Sequence, residues 1–114
     1  MVRIPTVEPR TTEQDVRLIE AALYGKVEKV RQLIAEGVEV DSIDANGHTA
    51  LIFAAMAGKA DVVRELLKNG ADSTIKDSVG HDAFTAAMFF GDFRGMTVPP
   101  YDEILKMIKN SRSR

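Results

Sequence analysis

Glycine recurs in this chain with fixed companions, and that recurrence limits the available folds more than any other feature. Two small or apolar residues, two further residues and a glycine stand at Ala21-Ala22-Leu23-Tyr24-Gly25, at Ala54-Ala55-Met56-Ala57-Gly58 and at Ala87-Met88-Phe89-Phe90-Gly91, so the glycines fall 33 residues apart both times. A second block keeps the offset, Leu33-Ile34-Ala35-Glu36-Gly37 answering Leu66-Leu67-Lys68-Asn69-Gly70. A unit of this size is one supersecondary element that cannot bury its apolar face alone. Such units stack side by side, and about three make a stable body. The 114 residues hold three of them.

Each unit reads locally as two short helices on a tight turn. Thr11 and Gln14 have the spacing of a capping box, starting a helix that runs to about Tyr24, where Gly25 caps it. Val27, Val30, Leu33 and Ile34 then share one face of a second helix, with Lys26, Lys29, Arg31 and Glu36 on the other. In the next unit, Ala50 to Ala57 is apolar all round, as a helix sandwiched between two neighbours must be. Its partner, Asp61 to Asn69, turns Val62, Val63, Leu66 and Leu67 inward and Arg64, Glu65 and Lys68 outward. The first helix mixes Glu13, Gln14, Asp15, Arg17 and Glu20 among its apolar positions, so it reads as a cap with one wet side. Gly25, Gly58 and Gly91, each closing a helix, are all expected to hold positive backbone angles.

These residues resemble the ankyrin repeat, a β-turn followed by two antiparallel helices. The most complete copy is Asp44 to Lys76, DANGHTALIFAAMAGKADVVRELLKNGADSTIK. The resemblance implies an all-α solenoid of helix-turn-helix units with short hairpin turns. Its expected divisions are a leader at 1–10, a first repeat at 11–43, a second at 44–76, and a third at 77–114 that includes a basic tail. The family's Thr-Pro-Leu-His stretch stands here as Thr49-Ala50-Leu51-Ile52, keeping the capping threonine but losing the proline that presets the first turn and the histidine that bonds between units, so the hairpin side is expected to be less rigid than in the family. In the third unit Asp82 replaces the threonine as cap.

A larger departure follows Gly91. Asp102 to Asn110 matches Asp61 to Asn69 at an offset of 41, so eight extra residues separate the helices of the third unit. The lengthened connection, 92–101, carries Pro99 and Pro100, which forbid helix, and Gly95, which permits a tight turn. Phe93, Met96, Val98 and Tyr101 are too apolar for a freely solvated loop, so it is expected to fold back and shield part of the last unit.

Candidate chemistry is sparse. A formal charge of −2 lacks the basic excess that phosphate neutralisation requires, so nucleic acid is not an expected partner. The basic end formed by Lys106, Lys109, Arg112 and Arg114 suits a helix C-terminus. There is no cysteine, hence no thiolate site, and no apolar stretch long enough to span a bilayer. A cytoplasmic location is expected, since the leader lacks a signal-like apolar core. His48 and His81, also 33 apart, fall near successive turn tips, where exposed turn residues are expected and not metal ligands or acid–base catalysts. Glu36, Glu39, Asp41, Asp44, Asp72 and Asp77 cluster near the turns without calcium-loop spacing, and solvated turns and helix caps explain them. The isolated glycines form no phosphate loop. No catalytic residue, cofactor or metal is expected.

What remains is a surface. In ankyrin repeats the residues just before the first helix's glycine lie on the concave face, here Leu23 and Tyr24, Met56 and Ala57, and Phe89 and Phe90. Two readings stand open. Either the insertion covers Phe89 or Phe90, or the line is a groove for an apolar segment of another protein. The resemblance implies a protein-binding module using Leu23, Tyr24, Met56, Phe89 and Phe90, with Asn46, His48 and His81 adding selectivity from the turns. The alternative is a structural role in which the apolar line pairs copies of the chain as a homo-oligomer or continues a longer stack.

Overall fold

The structure, a computed structural model, describes residues 12–112; the expected leader, Thr11 and Arg114 lie outside them. Helix α1 spans Glu13–Leu23 and is capped one residue later than the sequence suggested. Thr12 Oγ1 accepts the Asp15 N–H at 3.2 Å while the Thr12 N–H donates to the Asp15 carboxylate at 3.0 Å. The α1 position equivalent to Thr49 is Val16, which has no oxygen to offer, so the helix runs back another turn to find its cap. Helix α3, Ala50–Ala57, is capped by Thr49 through the Ile52 N–H at 3.0 Å. Helix α5, Ala83–Gly91, is capped by Asp82 through the Thr85 N–H at 2.9 Å. The second helices of the three units are α2 (Val27–Ala35), α4 (Ala60–Lys68) and α6 (Tyr101–Arg112).

Helices α1, α3 and α5 form one layer and α2, α4 and α6 the other, each helix touching its partner in the unit and its counterpart in the next. The core runs between the layers. Leu18, Val30, Leu33, Leu51, Ile52, Val62, Leu66, Ile104 and Ile108 are all essentially inaccessible to solvent. In α3, Ala50, Leu51, Ile52, Ala54 and Ala55 are buried on several sides, which is the environment its unbroken apolar sequence requires. Leu51→Ala in that sandwich would cost about 2–5 kcal/mol.

One expectation about a polar position fails here, and a second gains detail. Glu65, read as outward, is buried: its carboxylate accepts from Arg31 Nε at 3.2 Å and Asn69 Nδ2 at 3.1 Å, and Arg31 also pairs with Glu28. A charge in that position is tolerable only because the neighbouring unit supplies the guanidinium. At the other end, Arg112 binds the Ser73 hydroxyl at 2.9 Å, the Ser73 carbonyl at 2.6 Å and the Asp82 carboxylate at 3.1 Å, with its guanidinium over the Phe84 ring. This cation therefore ties the end of α6 to the third turn, a more specific role than a favourable helix terminus.

The glycines separate into two kinds. Gly25 and Gly58 are left-handed, each at φ 73°, as expected for helix ends. Gly91 is not: it is a buried residue of α5 without a positive φ. A Cβ there would stand 2.4 Å from Tyr101 Cβ, so Gly91 is needed for close approach and not for a turn. Tyr101, carried in by the insertion, crosses to the second unit and donates its hydroxyl to the Met56 carbonyl at 2.9 Å.

The insertion also departs from expectation. Instead of folding over the stack it makes a small hairpin, β1 (Asp92–Phe93) and β2 (Met96–Thr97), closed by Arg94 and Gly95 at φ 55° and 81°. Positive angles at both central residues match the twist of a two-residue hairpin. Phe93 and Met96 remain exposed, and only Val98 and Tyr101 turn toward the body, the Val98 N–H bonding to the Gly91 carbonyl at 3.0 Å. Apolar content alone did not oblige the loop to be covered.

Candidate functional site

The turns that lead into α3 and α5 are built by one recurring carboxylate. Asp44 Oδ1 accepts from the Asn46 and His48 N–H groups, both at 2.9 Å. Asp77 Oδ1 does the same for Val79 and His81, at 3.0 and 2.9 Å. Each turn is thereby closed by its own side chain, a short aspartate doing what a backbone carbonyl would otherwise do. The Ser78 N–H donates to the Asn46 carbonyl at 2.9 Å, joining neighbouring turns side by side. Gly47 allows this approach, since a Cβ there would meet Ser78 N at 3.1 Å and Asp77 Cα at 3.2 Å.

His48 is not the exposed turn residue the sequence suggested. Its ring lies between the two aspartates, Nε2 3.2 Å from Asp77 Oδ2 and Nδ1 3.5 Å from Asp44 Oδ2, and it contacts the Phe53 ring at 4.8 Å between centroids. His81, one unit on, is exposed as expected. The His81 backbone N–H holds the Asp77 carboxyl below its usual range against the opposing effect of burial, helped by the Val79 N–H and the two neighbouring histidines. Among the described residues no group of three or more His, Asp and Glu could hold a metal ion.

Between these turns and the far ends of α3 and α5 lies a groove of about 330 Å³. Ile52, Met56, Ala86, Phe89 and Phe90 form its apolar part, and His48, Asp77, His81 and Thr85 its polar end. The Phe89 and Phe90 rings meet edge to face at 5.2 Å, leaving Phe89 75% and Phe90 50% exposed. The hairpin does not cover them, so the reading in which the insertion shields this line does not hold. Rigid aromatic edges beside a floor of aliphatic side chains can receive an apolar side chain, and the polar end can satisfy a donor next to it.

Of the residues singled out in the sequence, the groove brings together His48, Met56, His81, Phe89 and Phe90. Tyr24 lines a separate hollow on the first unit with Arg17, Glu20, Ala21, Lys26 and Lys29. Leu23 is half-buried and Asn46 stands exposed on its turn, and neither lines the groove. Sequence reasoning missed Ile52, Asp77, Thr85 and Ala86 as lining residues. The signal for Asp77 was present, because it repeats Asp44 at the 33-residue period.

Paired helices in two layers, with side-by-side turns projecting from one edge and a groove along them, define a helical repeat scaffold. A family model for ankyrin repeats in three copies matches residues 18–98. The chain belongs to the ankyrin-repeat family. No curated protein matches it. Ankyrin repeats are in general protein–protein interaction modules and are typically not enzymes. Among the described residues no helix is long and apolar enough to cross a membrane.

Proposed function

We propose that this protein binds one partner protein through the groove between its second and third repeats, holding it and not transforming it. The observation that carries the reading is the open aromatic pair, Phe89 and Phe90, standing exposed over Ile52, Met56 and Ala86. Large rigid side chains give the most contact area for the least ordering cost, which is why such residues dominate binding energies. The partner is expected to present an apolar side chain next to a hydrogen-bond donor, the donor meeting Asp77, Thr85 and the histidines. Tyr24 and Leu23 extend the contact over the first repeat, and Asn46 meets the partner from the turn tip. An inhibitory or scaffolding role follows from occupying the partner's surface.

The test begins with capture from a lysate of the source, using the wild-type chain and Phe90→Ala side by side, and continues with calorimetry on the protein retained. Truncating an anchor commonly removes about 2 kcal/mol, so affinity should fall about 30-fold with Phe90→Ala. Arg64→Ala, exposed on the outer layer, should change it little. A larger loss from Arg64→Ala than from Phe90→Ala would place the partner on the opposite face.

A further inference from the structure

Asparagine precedes glycine twice in this chain, at Asn46-Gly47 and at Asn69-Gly70. The dipeptide carries a chemistry of its own, because a glycine nitrogen with no side chain beside it can reach the Cγ carbonyl of the preceding asparagine. The two pairs sit in different surroundings. The Asn69 side-chain amide donates to the Glu65 carbonyl at 2.8 Å and to the Glu65 carboxylate at 3.1 Å. The Gly70 N–H bonds to the Leu67 carbonyl and the Ala71 N–H to the Leu66 carbonyl, both at 3.0 Å, so the whole end of α4 is tied down. Asn46 stands exposed at a turn tip, and its side-chain amide makes no hydrogen bond among the described residues. One bond, from the Gly47 N–H to the Asp44 carbonyl at 3.0 Å, restrains the attacking nitrogen itself. A single bond at an exposed tip opens at low cost.

We infer that Asn46 is a site of spontaneous covalent modification, converting to isoaspartate and aspartate, while Glu65 protects Asn69. When the tip opens, the Gly47 nitrogen gives up its proton and bonds to Asn46 Cγ. The Cγ–Nδ2 bond breaks, and the amide nitrogen leaves with that proton as ammonia. A five-membered imide remains, its nitrogen joined to both carbonyl carbons of Asn46. Water then breaks one of the two C–N bonds. Cleavage at Cγ restores the ordinary chain with an aspartate side chain, and cleavage at the backbone carbonyl gives isoaspartate, in which the chain runs on through Cγ. Solvent water is the sole co-reactant.

Either product adds a negative charge to a turn that already holds the Asp44 carboxylate and abuts Asp77. Isoaspartate also makes the main chain one carbon longer where room is short, since even a Cβ on Gly47 would meet Ser78 N at 3.1 Å and Asp77 Cα at 3.2 Å. The same turn fixes His48, whose N–H bonds to Asp44 and whose ring lies between Asp44 and Asp77 at the polar end of the groove. Conversion therefore displaces His48. The modification depends on the turn alone and stands whether or not the groove holds a partner.

Incubating the full chain in warm neutral buffer, with peptide mapping by mass spectrometry over time, tests the assignment. Electron-transfer fragmentation separates isoaspartate from aspartate. In the folded chain Asn46 should convert first, with isoaspartate among the products. Asn69 should lag about 25-fold or more, because each of the two bonds on its amide slows the reaction about five-fold. In urea, where Glu65 no longer holds Asn69, the two sites should convert at similar rates. Asn46→Gln, which would have to close a larger ring, should abolish the early conversion. The ring-proton resonances of His48 should move in the converted protein. Asn69 reacting as fast as Asn46 in the folded chain overturns the assignment, as does an Asn46 still intact when the chain in urea has converted. A His48 signal unmoved by conversion overturns the displacement of the turn.

Discussion

Replacing Gly91 by alanine places a methyl group where Tyr101 already stands. The new Cβ would lie 2.4 Å from Tyr101 Cβ and 2.7 Å from Cγ, atoms close to the backbone that cannot rotate away. Helix α6 must therefore shift, at an overpacking cost of about 1–3 kcal/mol. The shift strains the Tyr101 hydroxyl bond to the Met56 carbonyl, a loss of about 1 kcal/mol if it breaks. Alanine returns about 0.5–1 kcal/mol, because glycine inside a helix is unfavourable. The net destabilisation is about 2 kcal/mol, or about 10 °C in melting temperature for a body of this size. Urea unfolding followed by far-ultraviolet circular dichroism reads it directly. The same substitution should reverse sign in a Tyr101→Gly background, where both clashing atoms are gone and only the helical gain of about 0.5–1 kcal/mol remains. A neutral or stabilising Gly91→Ala in the wild-type chain would refute the reasoning, because the close approach of α6 to α5 would then not exist.

Thr49→Ala should cost about 1 kcal/mol in the same assay, since it orphans the Ile52 N–H in the centre of the stack. Glu65→Ala should cost about 1–2 kcal/mol through its lost bonds to Arg31 and Asn69, with Arg31→Ala largely non-additive with it in a double-mutant cycle. The Asp82 carboxyl is pushed up by burial but held below its usual range overall by its bonds to Thr85 and by Arg112. A depressed folded-state pKa contributes stability that is present above the unfolded value of about 4 and lost as pH falls through the folded value. Asp82→Asn should therefore flatten the acid limb of stability below about pH 4 and change its steepness little above pH 6. An unchanged acid limb would count against the Arg112 clamp. Tyr24→Ala should leave the melting temperature within about 2 °C, since its ring is largely exposed, and a larger fall would place it in the core.

Much of the fold was legible because its determinants are local. The period, the left-handed Gly25 and Gly58, the caps Thr49 and Asp82 and the unbroken apolar α3 all follow from residues within a few positions of one another. The failures share one physical cause, a partner delivered from another unit. Glu65 obeys the outward position of its helical face, but Arg31 stands 34 residues earlier in sequence and encloses it. His48 sits on an exposed type of turn, yet Asp77 closes over it from the next one. Gly91 matches Gly25 and Gly58 in pattern, but its neighbour is Tyr101, brought in by an insertion the other units lack. The cap of α1 was displaced by one residue because Thr11 and Thr12 both have a capping partner three positions on, and spacing cannot choose between them. The candidate site was half legible: its apolar anchors sit at a fixed place before each glycine, whereas the path of the 92–101 hairpin, which leaves Phe89 and Phe90 open, depends on packing.

Among the described residues the methionines are placed so that one spectrum separates the groove from the outer helices. Met56 lines the groove, Met88 and Met96 are exposed and do not line it, and Met107 stands on the outer layer beside Leu67 and Arg64. Titrating the captured partner into protein labelled with ¹³C at the methionine methyl groups should shift Met56 strongly and leave Met107 in place. A shift at Met107 with Met56 unmoved would show that the partner binds the outer helices and that the groove is not its site.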